Sequence, residues 1–357
     1  MKTYIKFLLK LFLISFSKVF FIFFSIILIT NILEQADFFK ETNFHFAYLI
    51  FLSFLNAPSI IFEILPFIFL ISTQILFIKL IDNNELQIFK YTGLNNIKII
   101  QITSLFTFVF GLFFVIFFYN ISSTLQNSYL KIKNKFTNDD KYLAVVTENG
   151  LWIKDEIENK INIINASKVT DTFLVNVVIT QFNENYDFIR TIHSPKVNIS
   201  KNQWRVINPK ILENNFIQNY NEINFLSNFD LKKINSLFSN LSSLSIAELI
   251  YLRKSYKSLN YSLVEIDSHL YRIISYPVYL TLISVLSAII MFNIGFQKNS
   301  IFKIISGILL SVIIYYINYF FNILGTTERI PLLLSILLPL IILTIINLIF
   351  IVRLNEK

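Results

Sequence analysis

The sequence lacks cysteine altogether and has little glycine. The absence of cysteine from its 357 residues excludes disulfide bonds, thiol catalysis and cysteine metal sites, and leaves the compartment of any soluble part open. The six glycines are scattered singly, and none begins a loop of the form G-x-x-x-x-G-K-[ST]. Because that loop cradles nucleotide phosphates, we expect no ATP site of the P-loop kind in this chain.

Other catalytic patterns are missing as well. The three histidines, His45, His193 and His269, lie far apart in the sequence and have no spacing typical of a zinc site. His269 follows Glu265 by one helical turn, which favours a structural contact at a membrane surface over catalysis. No G-x-S-x-G motif occurs. The sequence therefore predicts a protein that is not an enzyme and has no metal or cofactor of its own.

Charged residues are also few, at 15% of the chain, and the net charge of +8 does not indicate a nucleic-acid site. Between residues 121 and 267, the 17 Lys and Arg are nearly balanced by 15 Asp and Glu. The positive excess lies within and beside apolar runs, where it sets the orientation of a membrane protein.

Apolar residues dominate the sequence. They make up 54% of the chain, and its mean hydropathy of +0.60 is higher than soluble domains of this size show. Apolar runs of about 18 or more residues are typical of membrane-spanning helices. We predict six spans, over residues 11–33, 59–81, 99–119, 273–295, 301–323 and 331–352.

The first predicted span is too long for a signal peptide, and no small-residue cleavage site follows it, so we expect it to be retained. Lys18 lies within this run. Either its ammonium group reaches the membrane interface, or residues 2–18 form a basic amphipathic helix along the surface.

Lysine and arginine are distributed unequally between the two sides of these spans. One side has Lys2, Lys6, Lys10, Lys79, Lys90, Lys98, Lys298, Lys303, Arg353 and Lys357. The other side has Lys40 and Arg329. Because positively charged short loops stay in the cytoplasm, we predict that both termini are cytoplasmic and that the large loop after span three lies outside.

That large loop is rich in β-strand patterns over residues 141–228. Its strand-like segments are YLAVVTE, LWIKDEI, KINIINASKV, TFLVNVVITQF and QWRVIN. Asn149-Gly150 predicts a hairpin turn, and Pro195 and Pro209 are expected at edges or in loops. Short, closely spaced strands favour a sandwich or jelly roll with an open edge that accepts a partner.

From Ser245 the apolar spacing becomes helical. Ser245 and Glu248 predict a capping box at the start of a helical connector, a rigid lever that leads into span four. The predicted divisions of the chain are spans one to three with a cytoplasmic helix at 82–93 (1–120), the β domain (121–244), the connector (245–272) and spans four to six (273–357).

The cytoplasmic helix at 82–93 joins spans two and three. Asp82 and Glu85 resemble a second capping box, and Gly93 fits the position just after a helix C-terminus. Glu85 and Lys90 are expected on the polar face. The apolar face is made by Leu86, Phe89 and Leu94. The segment is either a well-capped connector or an element that binds a partner.

Few polar residues occur within the predicted spans. Glu63 falls in the first turn of predicted span two, where a carboxylate suits the helix dipole, so it is either structural or functional. The polar run at 72–74 is placed for contact between helices, and Asn318 and Asn322 give span five a polar outer end. The chain of carboxylates that proton-coupled transporters need is missing.

Several motifs, taken in order, resemble the lipopolysaccharide export permease family LptF/LptG (YjgP/YjgQ). The motifs are NAPS (56–59), EILPF (63–67), NEL (84–86), YTG (91–93), SIAEL (245–249) with His269-Leu270 and Pro277, and Gly325 with Ile330-Pro331 and Leu338-Pro339. Each is weak alone. Their order and spacing, with three spans on either side of a β insert, identify the chain as a member of the family by resemblance.

Within the family, the segments at 33–35 and 151–153 look more like LptG than LptF. LptG proteins often have a basic residue near the outer end of span one, which is thought to meet a lipid phosphate. Asn31 stands there in this chain, and Lys40 is the nearest cation. The departure implies either a different lipid contact or a substrate with fewer phosphates.

The resemblance implies a six-helix membrane fold with an inserted periplasmic β-jelly-roll-like domain, located in the bacterial inner membrane. It implies a permease subunit of an ATP-driven ABC exporter, which extracts lipopolysaccharide and passes it to a periplasmic β-jelly-roll bridge toward the outer membrane. The partners it implies are a paralogous LptF-like permease chain, a cytoplasmic LptB-like ATPase dimer that holds ATP and Mg, and an LptC- or LptA-like bridge protein.

The resemblance also implies roles for particular residues. ATPase docking is implied for Asn84, Glu85, Leu86, Phe89 and Gly93. A lipid gate or cavity, formed mainly by spans one and five, is implied for Asn31, Lys40, Glu63, Asn318 and Asn322.

Two other functions stay open on the sequence alone. One is a non-transporting envelope sensor or scaffold with a ligand-binding β domain, which would not need a cytoplasmic helix shaped for an ATPase. The other is a mechanotransmitting ABC protein that pulls on a periplasmic partner, against which six spans argue because such proteins usually have four. A second chain of the same layout that co-purifies would distinguish the exporter.

Overall fold

The computed structural model describes residues 3–40, 45–134, 136, 151–157, 159–170, 172–213, 216–231, 234, 240–258, 262–293 and 300–355. The chain divides into two compact units, one formed by Met1–Gln126 with Val264–Lys357 and the other by Asn127–Leu263. The predicted strand YLAVVTE and the hairpin turn at Asn149-Gly150 lie outside the described residues.

The described part of the first unit is helical apart from short turns, and one further helix, at Ile246–Ser258, belongs to the second unit. Along the chain the helices are α1 (Thr3–Phe38), α2 (Phe46–Asp82), α3 (Glu85–Tyr91), α4 (Asn96–Phe113), which continues through a π-helical turn (Phe114–Phe118) into α5 (Tyr119–Asn134), then α6 (Ile246–Ser258), α7 (Val264–Asn293), α8 (Ser300–Thr326) and α9 (Leu332–Asn355).

Six helices in the described part of the chain are long and apolar enough to cross a membrane. They cover Thr3–Phe38, Phe46–Asp82, Asn96–Lys133, Val264–Phe292, Ile304–Thr326 and Leu332–Leu354, and are called spans one to six below. The predicted six-helix membrane fold is therefore confirmed.

The helices extend beyond the predicted apolar runs, most of all in span two. Its helix begins at Phe46 instead of residue 59, with the His45 side chain accepting a hydrogen bond from the Ala47 backbone N–H at 3.4 Å. Span one likewise runs without a break from Thr3, so residues 3–18 do not form a helix separate from it. Hydropathy detects only the part of a helix that matches the hydrocarbon core, whereas backbone hydrogen bonding continues past it.

Phenylalanine rings hold spans one, two and three together. Phe16 of span one lies with its ring centroid 5.3 Å from that of Phe69 and 5.0 Å from that of Phe110, both in edge-to-face geometry. Such pairs add to the stability gained from burial alone. Gly111 provides close contact with span four, since a Cβ there would lie 3.2 Å from Pro277 Cα.

The second unit contains one antiparallel sheet of eight strands. The strands are β1 (Leu151–Ile157), β2 (Lys160–Thr170), β3 (Phe173–Asn183), β4 (Phe188–Asn198), β5 (Gln203–Ile207), β6 (Lys210–Glu213), β7 (Phe216–Asn219) and β8 (Glu222–Leu226). Their order is β1-β2-β3-β4-β5-β8, with β6 paired to β4 and β7 to β6. An inserted β domain, as predicted, is confirmed.

The expectation for Pro195 was wrong, whereas Pro209 lies in a loop as predicted. Pro195 sits inside β4, where the sheet partner changes from β6 to β5 and where Asn176, opposite it in β3, has a φ of 50°. The ladder is interrupted on both sides of Pro195, so its missing N–H costs no hydrogen bond.

The sheet curls until its two end strands meet. Asp155 of β1 is buried and accepts hydrogen bonds from the Ser227 hydroxyl at 2.7 Å, the Asn228 backbone N–H at 3.0 Å and the Asn228 side-chain amide at 2.9 Å, just after β8. We call these three bonds the Asp155 clasp. They close the domain around an apolar core in which the indole of Trp204 donates to the Phe229 carbonyl oxygen.

The predicted capping box of the helical connector is confirmed. Glu248 accepts from the Ser245 backbone N–H at 2.8 Å, and Ser245 Oγ accepts from the Glu248 backbone N–H at 3.3 Å. The rest of the predicted connector, from Val264, is the first part of α7, the helix that forms span four.

Candidate functional site

The short helix α3 lies between spans two and three and ends as the sequence predicts. Gly93 has φ of +81°, its N–H donates to the Lys90 carbonyl oxygen, and the Leu94 N–H donates to that of Phe89. These two bonds make a Schellman motif, which favours glycine because it requires a left-handed residue. The C-terminal end of α3 is thus fixed by local chemistry.

The predicted capping box at the start of α3 is wrong. Asp82 is the last residue of α2, and Asn84 precedes α3 with φ of 58° and makes no side-chain cap. The Glu85 carboxylate accepts a hydrogen bond from the Asn83 side-chain amide at 3.4 Å through one oxygen. Its other oxygen, Oε2, is buried and has no hydrogen-bond partner in the described part of the chain.

The inner face of α3 attaches the helix to the membrane bundle. Leu86 is 2% exposed and belongs to the apolar core of the spans, and Phe89 packs against that core with its ring 6.1 Å from that of Phe7 in span one. Leu94 is buried too. Two of the predicted docking residues, Leu86 and Phe89, therefore position the helix and do not form its outer surface.

The outer face of α3 exposes two large apolar side chains to solvent. Tyr91 is 88% exposed and Ile88 57% exposed, beside exposed Gln87 and Lys90. Sequence reasoning missed Ile88 and Tyr91 because both faces of this helix carry large apolar side chains. The Schellman motif distinguishes the two faces of the helix, because Leu94, the residue after Gly93, packs on the inner face.

A second group of polar side chains lies in spans two, three, four and five. Its centre is Arg272, and Glu63 of span two carries the opposite charge nearby without making an ion pair with it in the described part of the chain. Arg272 Nη2 lies 3.3 Å from His269 Nδ1, and His269 Nε2 lies 3.0 Å from Tyr119 Oη. We call Glu63, Tyr119, His269 and Arg272 the Arg272 cluster.

Hydrogen bonding fixes the tautomer of His269. A guanidinium group only donates, so His269 Nδ1 must accept and the ring proton must lie on Nε2, directed at Tyr119. His269 is therefore neutral, and the predicted pairing with Glu265 does not occur among the described residues. The cluster contains one cation and one anion.

Further contacts join span five to this region. Ser268 donates to the Asn322 side-chain oxygen at 2.9 Å, and Tyr279 makes a side-chain hydrogen bond with Asn318. In span two, the Phe62 backbone carbonyl oxygen accepts from the Tyr276 hydroxyl, and the two rings stack 4.7 Å apart. The structure thus brings Asn318 and Asn322 to span four, on the side of the bundle that holds the Arg272 cluster.

Glu63 occupies a different environment from the one predicted. Because α2 begins at Phe46, Glu63 lies well inside the helix and the argument from the helix dipole is wrong. Its electrostatic neighbour, Arg272, was not singled out, since the two residues are distant in the sequence. The sequence does carry a signal for Arg272, since an arginine at the start of an apolar run is a candidate for a functional residue.

The remaining predicted lipid residues, Asn31 and Lys40, lie apart from the Arg272 cluster. Asn31 is only 2% exposed and accepts a hydrogen bond from the Asn56 side-chain amide at 3.1 Å, which joins spans one and two. Lys40 is exposed in the turn after α1. Asn31 thus makes a contact between spans one and two.

Among the described residues of the β domain, β7 pairs only with β6. All four of its residues are exposed, with Phe216 at 74% and Ile217 at 68%. At β1, the Asp155 clasp joins the strand to the residues after β8, and Lys154 and Glu156 form an ion pair at 2.8 Å. That pair, with the Tyr186 hydroxyl, raises the pKa of Lys154.

Comparison with known families identifies the chain. The family described as "Lipopolysaccharide export system permease LptF/LptG" matches residues 6–353, nearly the whole length, without distinguishing LptF from LptG. A comparison with curated proteins finds no match. The match covers all six spans and the inserted β domain, so the protein is a multi-pass inner-membrane protein, and the chain belongs to the LptF/LptG family of lipopolysaccharide export permeases.

Proposed function

We propose that this chain is the LptG-like subunit of an ATP-driven lipopolysaccharide exporter. It pairs with a second, LptF-like permease chain, and both termini and α3 lie in the cytoplasm. A separate ATPase dimer supplies ATP and Mg. The β domain lies in the periplasm and passes lipid to a β-jelly-roll bridge protein.

The outer face of α3 carries this proposal. The helix is held from inside by Leu86 and Phe89, so a force applied to its outer face is transmitted to the core of spans one and two. Ile88 and Tyr91 present an exposed apolar surface of the kind that fits a groove in a partner. Glu85, half-buried at the start of α3, adds a negative charge for a basic group of that partner.

The test is a pull-down of the tagged full-length chain from its native membrane in mild detergent, with the partners identified by mass spectrometry. We expect a P-loop ATPase and a permease of similar size. Tyr91→Glu and Ile88→Glu should lose the ATPase and keep the permease, because a charge is placed in an apolar contact. Tyr186→Glu, at an exposed tyrosine of the β domain, is the matched control and should keep both.

Undiminished ATPase recovery with Tyr91→Glu would contradict the docking face. Wild-type chain that is recovered alone, or with an unrelated envelope protein, would favour the sensor or scaffold instead. Glu85→Ala and Glu85→Lys are expected to weaken ATPase recovery without changing membrane insertion, since each removes the negative charge at the start of α3.

In the β domain, the exposed edge strand β7 is the proposed contact for the bridge protein. In the described part of the chain, β7 pairs with β6 on one edge, and its other edge, with exposed Phe216 and Ile217, provides backbone hydrogen-bonding groups and apolar side chains for an added strand. The lipid gate is proposed between spans one and five, with Asn318 and Asn322 on the span-five side.

A further inference from the structure

Span three contains a π-helical turn at Phe114–Phe118, between α4 and α5, where the Tyr119 backbone N–H donates to the Phe114 carbonyl oxygen. A π-helical turn holds one residue more than an α-helical turn, so the side chains beyond it are rotated by about 100° around the helix axis. Single π-turns are rare and occur frequently at functional sites. This turn therefore determines which side chains of α5 face spans two and four.

The part of span three before the π-turn is held by close packing. The ring centroid of Phe110 lies 5.0 Å from that of Phe16 in span one and 5.9 Å from that of Phe69 in span two. Gly111 is in close contact with Pro277 of span four. Because these contacts hold α4 against three spans, a change in the π-turn would move α5 and leave α4 in place.

Two side-chain hydrogen bonds fix the rotation of α5. His269 Nε2 of span four donates to the Tyr119 hydroxyl at 3.0 Å. The Ser59 hydroxyl of span two donates to the Gln126 side-chain oxygen at 2.8 Å. Ser123, on the same face of α5, is buried as well. A hydrogen bond contributes little net stability, so the rotation of α5 is held less firmly than the packing of α4.

A second set of α5 side chains fits the same inner face. Each lies one residue before a member of the first set, and the three are Phe118, Ser122 and Leu125. They are buried or half-buried, and two are apolar, so a position against spans two and four suits them. An α-helical turn in place of the π-turn would bring this set inward. The sequence of α5 is therefore compatible with two registers, meaning two sets of side chains on its inner face.

We infer that the π-turn is a switch between these two registers of α5. In the second register the turn is α-helical, the bonds of Tyr119 and Gln126 are broken, and α5 is rotated by about 100° and advanced by about 1.5 Å along its axis. Because α5 continues to Asn134, past the end of this part of the first unit at Gln126, the rotation reaches the chain that enters the second unit. The inference does not depend on the proposed export function.

Cysteine cross-linking distinguishes the two registers, since the protein has no cysteine of its own. Ser59→Cys is combined with Gln126→Cys or with Leu125→Cys in the full-length chain, and native membranes are treated with a short bifunctional methanethiosulfonate. We expect cross-linked product from both pairs, because both registers are populated. Ser59→Cys with Thr124→Cys is the matched control and should give none, because Thr124 is exposed and faces away in either register.

Deletion of Ile116, an exposed residue of the π-turn, removes the extra residue and keeps Tyr119 on the inner face of a regular α-helix. In this background the Ser59→Cys and Gln126→Cys pair should still cross-link, and the pair with Leu125→Cys should lose its product. Absence of the Leu125→Cys product from the chain without the deletion would overturn the inference. Persistence of that product after the deletion would overturn it too.

A second variant decides the question if the deletion prevents folding. Tyr119→Phe removes the acceptor for His269, which belongs to the π-helical register alone. The ratio of Leu125→Cys product to Gln126→Cys product should rise about fivefold, because one hydrogen bond that favours the π-turn is lost. An unchanged ratio would show that α5 has a single register and would overturn the inference.

Discussion

Single residues show which features local sequence chemistry determines. Gly93 was predicted correctly because a glycine after a short amphipathic helix is required by the left-handed end of that helix. The position of Glu63 was predicted wrongly, since nothing in the apolar pattern marks a helix start at Phe46. Its neighbour Arg272 is a long-range contact, which depends on how spans two and four pack.

Two glycine substitutions should lower the free energy of unfolding by different amounts and for different reasons. Gly93→Ala meets open space but puts a Cβ in the left-handed region, at a cost of about 1 kcal/mol. Gly111→Ala forces a Cβ against the Pro277 backbone, which cannot rotate away, at a cost of about 1–3 kcal/mol. We expect Gly111→Ala to lower the melting temperature of the solubilised chain more. Equal melting temperatures would contradict the close packing of spans three and four.

At the scale of elements, the sequence predicted β1, β2, β3 and β5 and missed the other strands. β4 contains Pro195, and only the switch of partners at that residue allows it there. β7 is exposed along its whole length, so it lacks the alternation of buried and exposed residues that marks a strand. The curling of the sheet depends on Asp155, whose partners after β8 are remote in the sequence.

The Asp155 clasp should contribute to the stability of the β domain. Asp155→Ala removes the acceptor for three hydrogen bonds and leaves buried donors unpaired, so we expect a loss of about 3 kcal/mol. Asp155→Asn keeps one acceptor and should lose less. Both tryptophans of the chain, Trp152 and Trp204, lie in this domain, so fluorescence during thermal unfolding of the full chain reports on it.

Glu184→Gln, at an exposed residue of the same domain, is the control for the loss of a carboxylate. It should unfold like the wild type. A wild-type unfolding curve for Asp155→Ala would show that the two end strands are held together by the apolar core alone.

For the whole molecule, the number of spans and the presence of a β insert were predictable because both follow from periodicity and length. The outward face of α3 and the Arg272 cluster were not, because burial decides which of several similar side chains faces outward. Leu86 and Ile88 look alike in sequence, yet one is 2% exposed and the other 57%.

The orientation of the chain is open to direct labelling, since the protein has no cysteine. Single cysteines at the exposed positions Tyr91 and Tyr186 give one reactive thiol each. With a membrane-impermeant maleimide, Tyr186→Cys should be labelled in spheroplasts and Tyr91→Cys only after lysis. Labelling of Tyr91→Cys in intact spheroplasts would place α3 outside and contradict an ATPase partner.

We propose above that ATP hydrolysis by a separate ATPase drives lipopolysaccharide export through this chain. It is tested most directly by reconstituting the co-purified complex into proteoliposomes with lipopolysaccharide and measuring transfer to a soluble bridge protein. The account predicts transfer that requires ATP and that falls when Tyr91→Glu replaces the wild type. Transfer that is independent of ATP, or unchanged in Tyr91→Glu, would contradict it.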